Sequence, residues 1–172
     1  SFMEHFGLVV IGAHSGIFIK ELIESYKGQN ILLVEPVAYN YELLEKKYSS
    51  HNNIFICKKA IIDKPKTDKF YFVKKESISK LGKHWASAIG SFDINHLLNH
   101  RNKRFKIEEE DIAQIKIEFI TFEKLTHIYS IKSIDKLQID VEGAEYEILN
   151  SIDYKKISIN KILFEFKHFD GT

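Results

Sequence analysis

The chain has 172 residues, of which 44% are hydrophobic and 28% are charged, and this size and composition suit a single globular domain. The formal net charge is only +1, so charge gives no reason to expect nucleic acid or an anionic membrane as a partner. The lone cysteine, Cys57, cannot form an internal disulfide, and no apolar run approaches the roughly 20 residues of a membrane span. We therefore expect a cytoplasmic protein.

The first third of the chain alternates apolar runs with helical patterns. Apolar runs at residues 8–11, 31–34 and 54–57 predict strands that are buried on both faces. Between them, residues 17–26 and 39–48 carry apolar side chains at helical spacing. This order predicts parallel strands joined by helices in right-handed crossovers.

The middle of the chain has a different pattern. Residues 69–73 predict an added strand and residues 92–99 predict a short helix. The polar sequence around them predicts a loop-rich insertion at about residues 74–111, and residues 101–111 within it are expected to be a solvated excursion.

The last third returns to alternating elements. Residues 115–119 alternate between apolar and polar and predict a half-exposed strand. Residues 121–129 predict a helix with Thr121 as its N-cap. Strands are predicted at residues 137–141 and 162–166, with a helix from Glu142 to about residue 150 between them. We expect one domain over residues 3–172.

The first candidate site is a glycine loop that directly follows the first strand. Glycines let the backbone approach a ligand, and the next helix offers free N–H groups. The loop lacks the third glycine of the dinucleotide fingerprint G-x-G-x-x-G. We expect His14 to position the backbone rather than to act in catalysis. The loop consists of Gly12, Ala13, His14, Ser15 and Gly16.

The second candidate site is Glu35, which ends the second strand and precedes Pro36. A carboxylate at this position can accept hydrogen bonds from both hydroxyls of a ribose. Pro36 cannot continue a central strand and so keeps the carboxylate at the strand end. Nicotinamide cofactors and S-adenosylmethionine both contain this ribose, and the missing glycine favours S-adenosylmethionine.

The third candidate site holds three carboxylates, Asp140, Glu142 and Glu145, at a strand-to-helix turn. They could bind the positive end of a cofactor, a substrate hydroxyl or a metal, and a pair of them could supply a general base. An acid at the position of Glu145 also suits the helix dipole.

Together these segments resemble the FkbM-type methyltransferases in order and spacing. The resemblance implies a class I methyltransferase fold, which is a Rossmann-like, doubly wound α/β domain with a mostly parallel sheet. It also implies methyl transfer from S-adenosylmethionine, usually to a hydroxyl oxygen of a small molecule or sugar. The matching segments are Ile11 to Gly16, Val34 to Pro36, Leu125, Ile139 to Glu145 and Ile162 to Glu165.

The resemblance also implies roles for individual residues. The glycine loop would flank the methionine moiety of the cofactor, and Glu35 with Pro36 would lie at the ribose. Ala60 would lie near the adenine, and Asp140 would lie beside the reacting centre. Asp140, Glu142 and His168 are the candidate bases for the acceptor hydroxyl.

The sequence departs from the family pattern at two places. Val10 stands where the family usually has Asp, which removes a carboxylate expected near the amino group of the cofactor. The family fold usually ends in an antiparallel hairpin, whereas this sequence stops at Gly171-Thr172. We therefore expect the C-terminal hairpin to be lacking or truncated.

Residues of the insertion are the candidates for substrate recognition, together with Glu145. His84, Trp85 and Ser87 form a polar and aromatic cluster with neighbouring lysines. This cluster predicts either a lid over an anionic or sugar-like substrate or a solvated loop. His96 and His100 have the spacing of two metal ligands on a helix. Since no third ligand is evident, we predict no metal site.

Two other interpretations stay open. One is a degenerate S-adenosylmethionine-binding module in which Val10 and the short C-terminus have abolished turnover. The other is a nicotinamide-dependent oxidoreductase. For the partners, we expect a small-molecule or carbohydrate substrate and neither nucleic acid nor membrane, and a homo-oligomer is left open.

Overall fold

The structure is a computed structural model that describes residues 4–64, 66–81, 90–91, 94–99, 106–141 and 143–164. Its strands are β1 (His5–Ile11), β2 (Ile31–Val34), β3 (Ile54–Cys57), β4 (Ala60–Ile61), β5 (Lys66–Val73), β6 (Gly90–Ser91), β7 (Ile112–Ile120), β8 (Ser133–Ile139) and β9 (Ser158–Phe164). Its α-helices are α1 (Lys20–Ser25), α2 (Ala38–Tyr48), α3 (Lys75–Leu81), α4 (Ile94–Leu98), α5 (Phe122–Ile128) and α6 (Glu145–Ser151). Short 3-10 helices cover Ile17–Ile19 and Glu109–Asp111.

The central sheet has five parallel strands in the order β3-β2-β1-β8-β9. In the middle of the sheet, Val10 of β1 is paired with Leu33 on one side and with Gln138 on the other. The central position explains why β1 and β2 are almost continuously apolar, since helices cover both faces of such a strand. The predicted α/β fold with a mostly parallel sheet is confirmed.

Two apolar clusters lie on opposite faces of this sheet. Leu8 and Val10 of β1 pack with residues of α1 and α2, whereas Val9 and Ile11 pack with residues of α5 and α6. Adjacent residues of a strand point to opposite faces, so β1 contributes to both clusters. The helices therefore cover both faces of the sheet, as in a doubly wound fold.

A second sheet, in the order β4-β7-β5-β6, lies in the middle of the chain. β5 and β7 pair antiparallel over the full length of β5, and β4 pairs parallel with β7. β7 is half-exposed as predicted, but its burial does not alternate, since Ile115 is exposed and Phe119 and Ile120 are both buried. β4 begins at Ala60, shortly after β3 ends at Cys57, so the second sheet starts next to the carboxyl end of β3.

The insertion is more ordered than its sequence predicts. Residues 75–81 form helix α3 instead of loop. At the end of the expected solvated excursion, Ile107 and Asp111 are buried. The Asp111 carboxylate accepts a hydrogen bond from the Glu108 N–H at 2.9 Å. The solvated excursion is therefore wrong at this end, because a capping box and an apolar contact order the chain there.

Within the described ranges, no helix is long and apolar enough to cross a membrane.

Thr121 is the N-cap of α5, as predicted. Its side-chain oxygen accepts a hydrogen bond from the Lys124 N–H at 3.0 Å. The cap matters for the core, because Phe122 and Leu125 of this short helix are buried against the central sheet.

We expect Thr121→Ala to lower the free energy of unfolding by about 1 kcal/mol, because one N–H at the start of α5 loses its acceptor. Urea unfolding followed by circular dichroism measures this change. Thr121→Ser keeps the hydroxyl and should retain most of the stability. Equal losses in the two variants would contradict a capping role.

Candidate functional site

An open pocket lies where β1, β2 and β8 end. Its position is the one at which open α/β sheets bind ligands. The lining residues are Ile11, Gly12, His14, Val34, Glu35, Pro36, Val37, Lys59, Ala60, Ile61, Phe70, Asp140 and Val141.

The glycine loop forms one side of this pocket and is tied to both neighbouring strand ends. The N–H groups of Gly12 and Ala13 donate to the Val34 carbonyl at 2.9 and 3.0 Å. Gly12 has a φ of 88°, and a Cβ there would collide with the backbone carbonyl oxygen of Asp140. A glycine at this position therefore lets the ends of β1 and β8 approach each other.

Glu35 is buried at the floor of the site, with only 2% of its surface exposed. One carboxylate oxygen accepts the His14 N–H and the other accepts the Val37 N–H, both at 2.9 Å. Burial raises the pKa of Glu35, whereas the His14 charge and hydrogen bonds from Val37, His14 and Asn40 act in the opposite direction. The two backbone hydrogen bonds hold the carboxylate in place, and Glu35 lines the pocket.

The His14 imidazole lies between two carboxylates. Its Nδ1 is 3.7 Å from Glu35 Oε1, and its Nε2 is 3.4 Å from Asp140 Oδ2. His14 has a φ of 54°, in the left-handed region. Few residues other than glycine adopt this conformation, and His is among those that do so most often. The hydrogen bond from the His14 N–H to Glu35 stabilises it here.

The opposite wall of the pocket is apolar. Val37, Ala60 and Phe70 belong to one buried cluster, and Ile61 of β4 is also buried. Lys59 lines the pocket nearby and forms an ion pair with Glu118 of β7. This wall suits a flat, weakly polar ring rather than a charged group.

The structure brings six of the predicted cofactor residues to one pocket, namely Gly12, His14, Glu35, Pro36, Ala60 and Asp140. The other loop residues, Ala13, Ser15 and Gly16, are buried beside the pocket lining. Within the part of the chain that the structure describes, Ser15 Oγ has no hydrogen-bond partner.

Glu145, the predicted substrate residue that the structure describes, is buried in the first turn of α6 and does not line the pocket. β8 ends at Ile139, so Asp140 lies in the turn after the strand. His96 lies on α4. The predicted residues outside the described ranges are Glu142, His84, Trp85, Ser87, His100 and His168.

Sequence reasoning did not find Lys59, Ile61 or Phe70 as pocket residues. Ile61 and Phe70 reach the pocket because β4 and β5 both pair with β7, about 50 residues later in the chain. No local motif marks these residues. Only the short spacing of Lys59 and Ile61 from β3 gave a signal that they lie near a strand end.

A comparison with known protein families agrees with this geometry. The family described as Methyltransferase FkbM domain matches residues 11–172. The chain belongs to the FkbM methyltransferase family. This FkbM domain is therefore a methyltransferase, and its family membership implies a methyl donor. The resemblance noted in the sequence is confirmed. No curated protein and no solved structure matches the chain significantly.

The close approach at Gly12 can be tested against a second glycine. Gly12 and Gly28 have nearly the same φ, 88° and 89°, but an added Cβ at Gly28 meets nothing within 4 Å. We expect Gly28→Ala to cost roughly 1–2 kcal/mol of stability from backbone strain alone. Gly12→Ala should cost more than about 3 kcal/mol, because the strain is joined by the collision with Asp140.

Urea unfolding of both variants measures the difference. Equal losses would show that the Asp140 carbonyl does not restrict position 12.

Proposed function

We propose that this FkbM domain uses S-adenosylmethionine as its methyl donor and methylates a hydroxyl oxygen of a small molecule or sugar. The observation that carries the proposal is the placement of Glu35, which lies in one pocket with the glycine loop, Asp140 and an apolar wall. S-adenosylmethionine contains a ribose, a flat adenine ring and a cationic amino-acid arm. Glu35 suits the ribose, the apolar wall suits the ring, and the glycine loop with Asp140 suits the arm. The residues present therefore fit the donor.

The ribose is assigned to Glu35. Each of its carboxylate oxygens already accepts one backbone N–H, and a carboxylate has about four acceptor sites in all. The Asn40 side chain also hydrogen-bonds this carboxylate, and the acceptor capacity that remains is available for a ribose hydroxyl. Since both backbone bonds hold the carboxylate in place, little side-chain entropy is lost when the ribose binds.

The adenine is assigned to the apolar wall formed by Val37, Ala60, Ile61 and Phe70. These side chains are buried, and contact with them would remove a flat ring from water. This wall agrees with the position that the family resemblance implies for Ala60.

The methionine end of the donor is assigned to the side of the glycine loop and Asp140. Asp140 has a side chain that is 20% exposed, in contrast to the almost fully buried Glu35. A partly exposed carboxylate keeps its charge more readily than a buried one. It therefore suits both the attraction of a cation and contact with an incoming substrate.

S-adenosylmethionine, when bound, supplies a methyl group activated by a sulfonium. For such a displacement, the protein mainly positions donor and acceptor and keeps water out. Asp140 is the described residue placed to accept the proton of an acceptor hydroxyl. Glu142 and His168, which lie outside the described residues, remain candidates for the same role.

Isothermal titration calorimetry with S-adenosylmethionine and S-adenosylhomocysteine tests the proposal directly. We expect both to bind, and we expect the reduced nicotinamide dinucleotide not to bind. Binding of the dinucleotide alone would favour the oxidoreductase interpretation. The absence of binding by both adenosine ligands would overturn the proposal.

Glu35→Gln should weaken the binding of both adenosine ligands by roughly ten- to a hundredfold, because hydrogen bonds to a charged acceptor are replaced by bonds to a neutral amide. The amide NH₂ group also faces one of the two backbone N–H donors. Calorimetry measures the change. Glu42→Gln, the same substitution on the exposed face of α2, serves as the control. Equal affinities for the two variants would exclude Glu35 from the binding site.

The raised pKa of Glu35 also predicts a pH dependence. Burial favours the protonated form, and a protonated carboxyl accepts fewer hydrogen bonds from a ribose. As the pH falls through this raised pKa, both ligands should lose affinity because both contain the ribose. Calorimetry from pH 8 downwards measures this loss, and Glu35→Gln should remove the part that the ligands share.

A further inference from the structure

We propose that His14 sets the preference of the site for the positively charged methyl donor over its uncharged product, through the charge on its imidazole. The inference rests on the proposed function, since it concerns S-adenosylmethionine and S-adenosylhomocysteine. It assigns to the imidazole a role beyond the backbone positioning that the sequence predicts.

The position of the imidazole is the starting point. It lies 3.7 Å from a Glu35 oxygen and 3.4 Å from an Asp140 oxygen, one at each of its ring nitrogens. The side chains of His14 and Glu35 are only 10% and 3% exposed. Water therefore screens this group of charges weakly.

The backbone of His14 is held at this place. Its N–H donates to the same Glu35 oxygen that faces the ring, and the N–H groups of Gly12 and Ala13 donate to the Val34 carbonyl at the end of β2. The His14 backbone cannot move away without losing a buried hydrogen bond. The imidazole lines the pocket from this position.

Two charge states follow from this arrangement. With a neutral imidazole, Glu35 and Asp140 give this side of the pocket two negative charges. With an imidazolium, the net charge is reduced to one negative charge. Histidine is the side chain whose ordinary pKa allows this change between pH 5 and pH 8.

The two ligands differ in charge, and the charge on the imidazole acts on this difference. S-adenosylmethionine has a positively charged sulfonium, whereas S-adenosylhomocysteine has a neutral thioether and otherwise the same groups. A neutral His14 therefore favours the donor, and a protonated His14 reduces this advantage. At neutral and higher pH, the site would release its product more readily in exchange for a new donor.

Other charged or titratable groups face the same region. Lys59 lines the pocket from the far wall, where it pairs with Glu118. Tyr39 lies close enough to Glu35 to interact with its charge, and burial raises the pKa of Tyr39 so that it stays neutral in this pH range. Glu35 itself binds the ribose that both ligands share. A substitution at position 14 leaves Lys59 and Tyr39 in place but removes the imidazole charge that lowers the pKa of Glu35.

The test is calorimetric titration of the intact protein with both ligands from pH 5.5 to pH 8.5. For the unmodified protein, the ratio of the two dissociation constants should shift by roughly tenfold in favour of the donor as the pH rises, the scale of one partly screened charge interaction. Titration in two buffers with different ionisation enthalpies should show more proton release with the donor than with the product.

The variant is His14→Asn, because Asn tolerates the left-handed backbone and keeps the N–H that donates to Glu35. This variant should lose the part of the pH dependence and of the proton release that comes from the imidazole, so that only the part from Glu35 remains. His127→Asn, on the exposed face of α5, should behave like the unmodified protein.

The outcomes separate the two proposals. If S-adenosylhomocysteine and S-adenosylmethionine both bind but the ratio does not change with pH, the role of His14 is overturned and the proposed function stands. A ratio that keeps its full pH dependence in His14→Asn also overturns it, because the dependence then comes from Glu35 alone. If neither ligand binds the unmodified protein, the proposed function and the inference fail together.

Discussion

The buried carboxylate of Glu35 joins the two loops that shape the pocket. It accepts one N–H from the glycine loop at His14 and one from the turn into α2 at Val37. Removing a carboxylate from water costs several kcal/mol unless hydrogen bonds replace the lost hydration, and charge-assisted bonds to backbone N–H groups do so here. An apolar side chain at this place would leave the two N–H groups without their acceptor, so the shape of the pocket depends on the same residue that is proposed to bind its ligand.

The polar groups of the site are concentrated at one end of an otherwise apolar sheet. β1 and β2 contribute mainly apolar side chains to two clusters that are covered by helices. His14, Glu35 and Asp140 come together only after these strands have ended. The strands hold the ends from which the three side chains project. This support keeps the buried His14 imidazole between two acids.

The sequence predicted best where packing alone decides the structure. β2 and β3 begin and end at the predicted residues because each is a short apolar run in a parallel sheet, β2 inside it and β3 at its half-buried edge. β8 and β9 begin four residues earlier than predicted, at Ser133 and Ser158. Hydrogen bonds to neighbouring strands extend these two elements into polar sequence, and no local pattern reports such pairing. Helix α3 was missed for a similar reason, since its polar sequence resembles that of a loop.

The sequence by itself determined the parallel α/β sheet, the glycine loop, the strand-end carboxylates and the family. These are local features, because apolar periodicity and the residues at a strand end depend on neighbours within a few positions. Only the tertiary structure decided that Ile61 and Phe70 close the pocket and that the His14 imidazole lies between Glu35 and Asp140. These contacts join residues that are far apart in the chain. The pairing of β4 and β5 with β7 and the alignment of β1, β2 and β8 bring them together, and sheet pairing is a property of the whole fold.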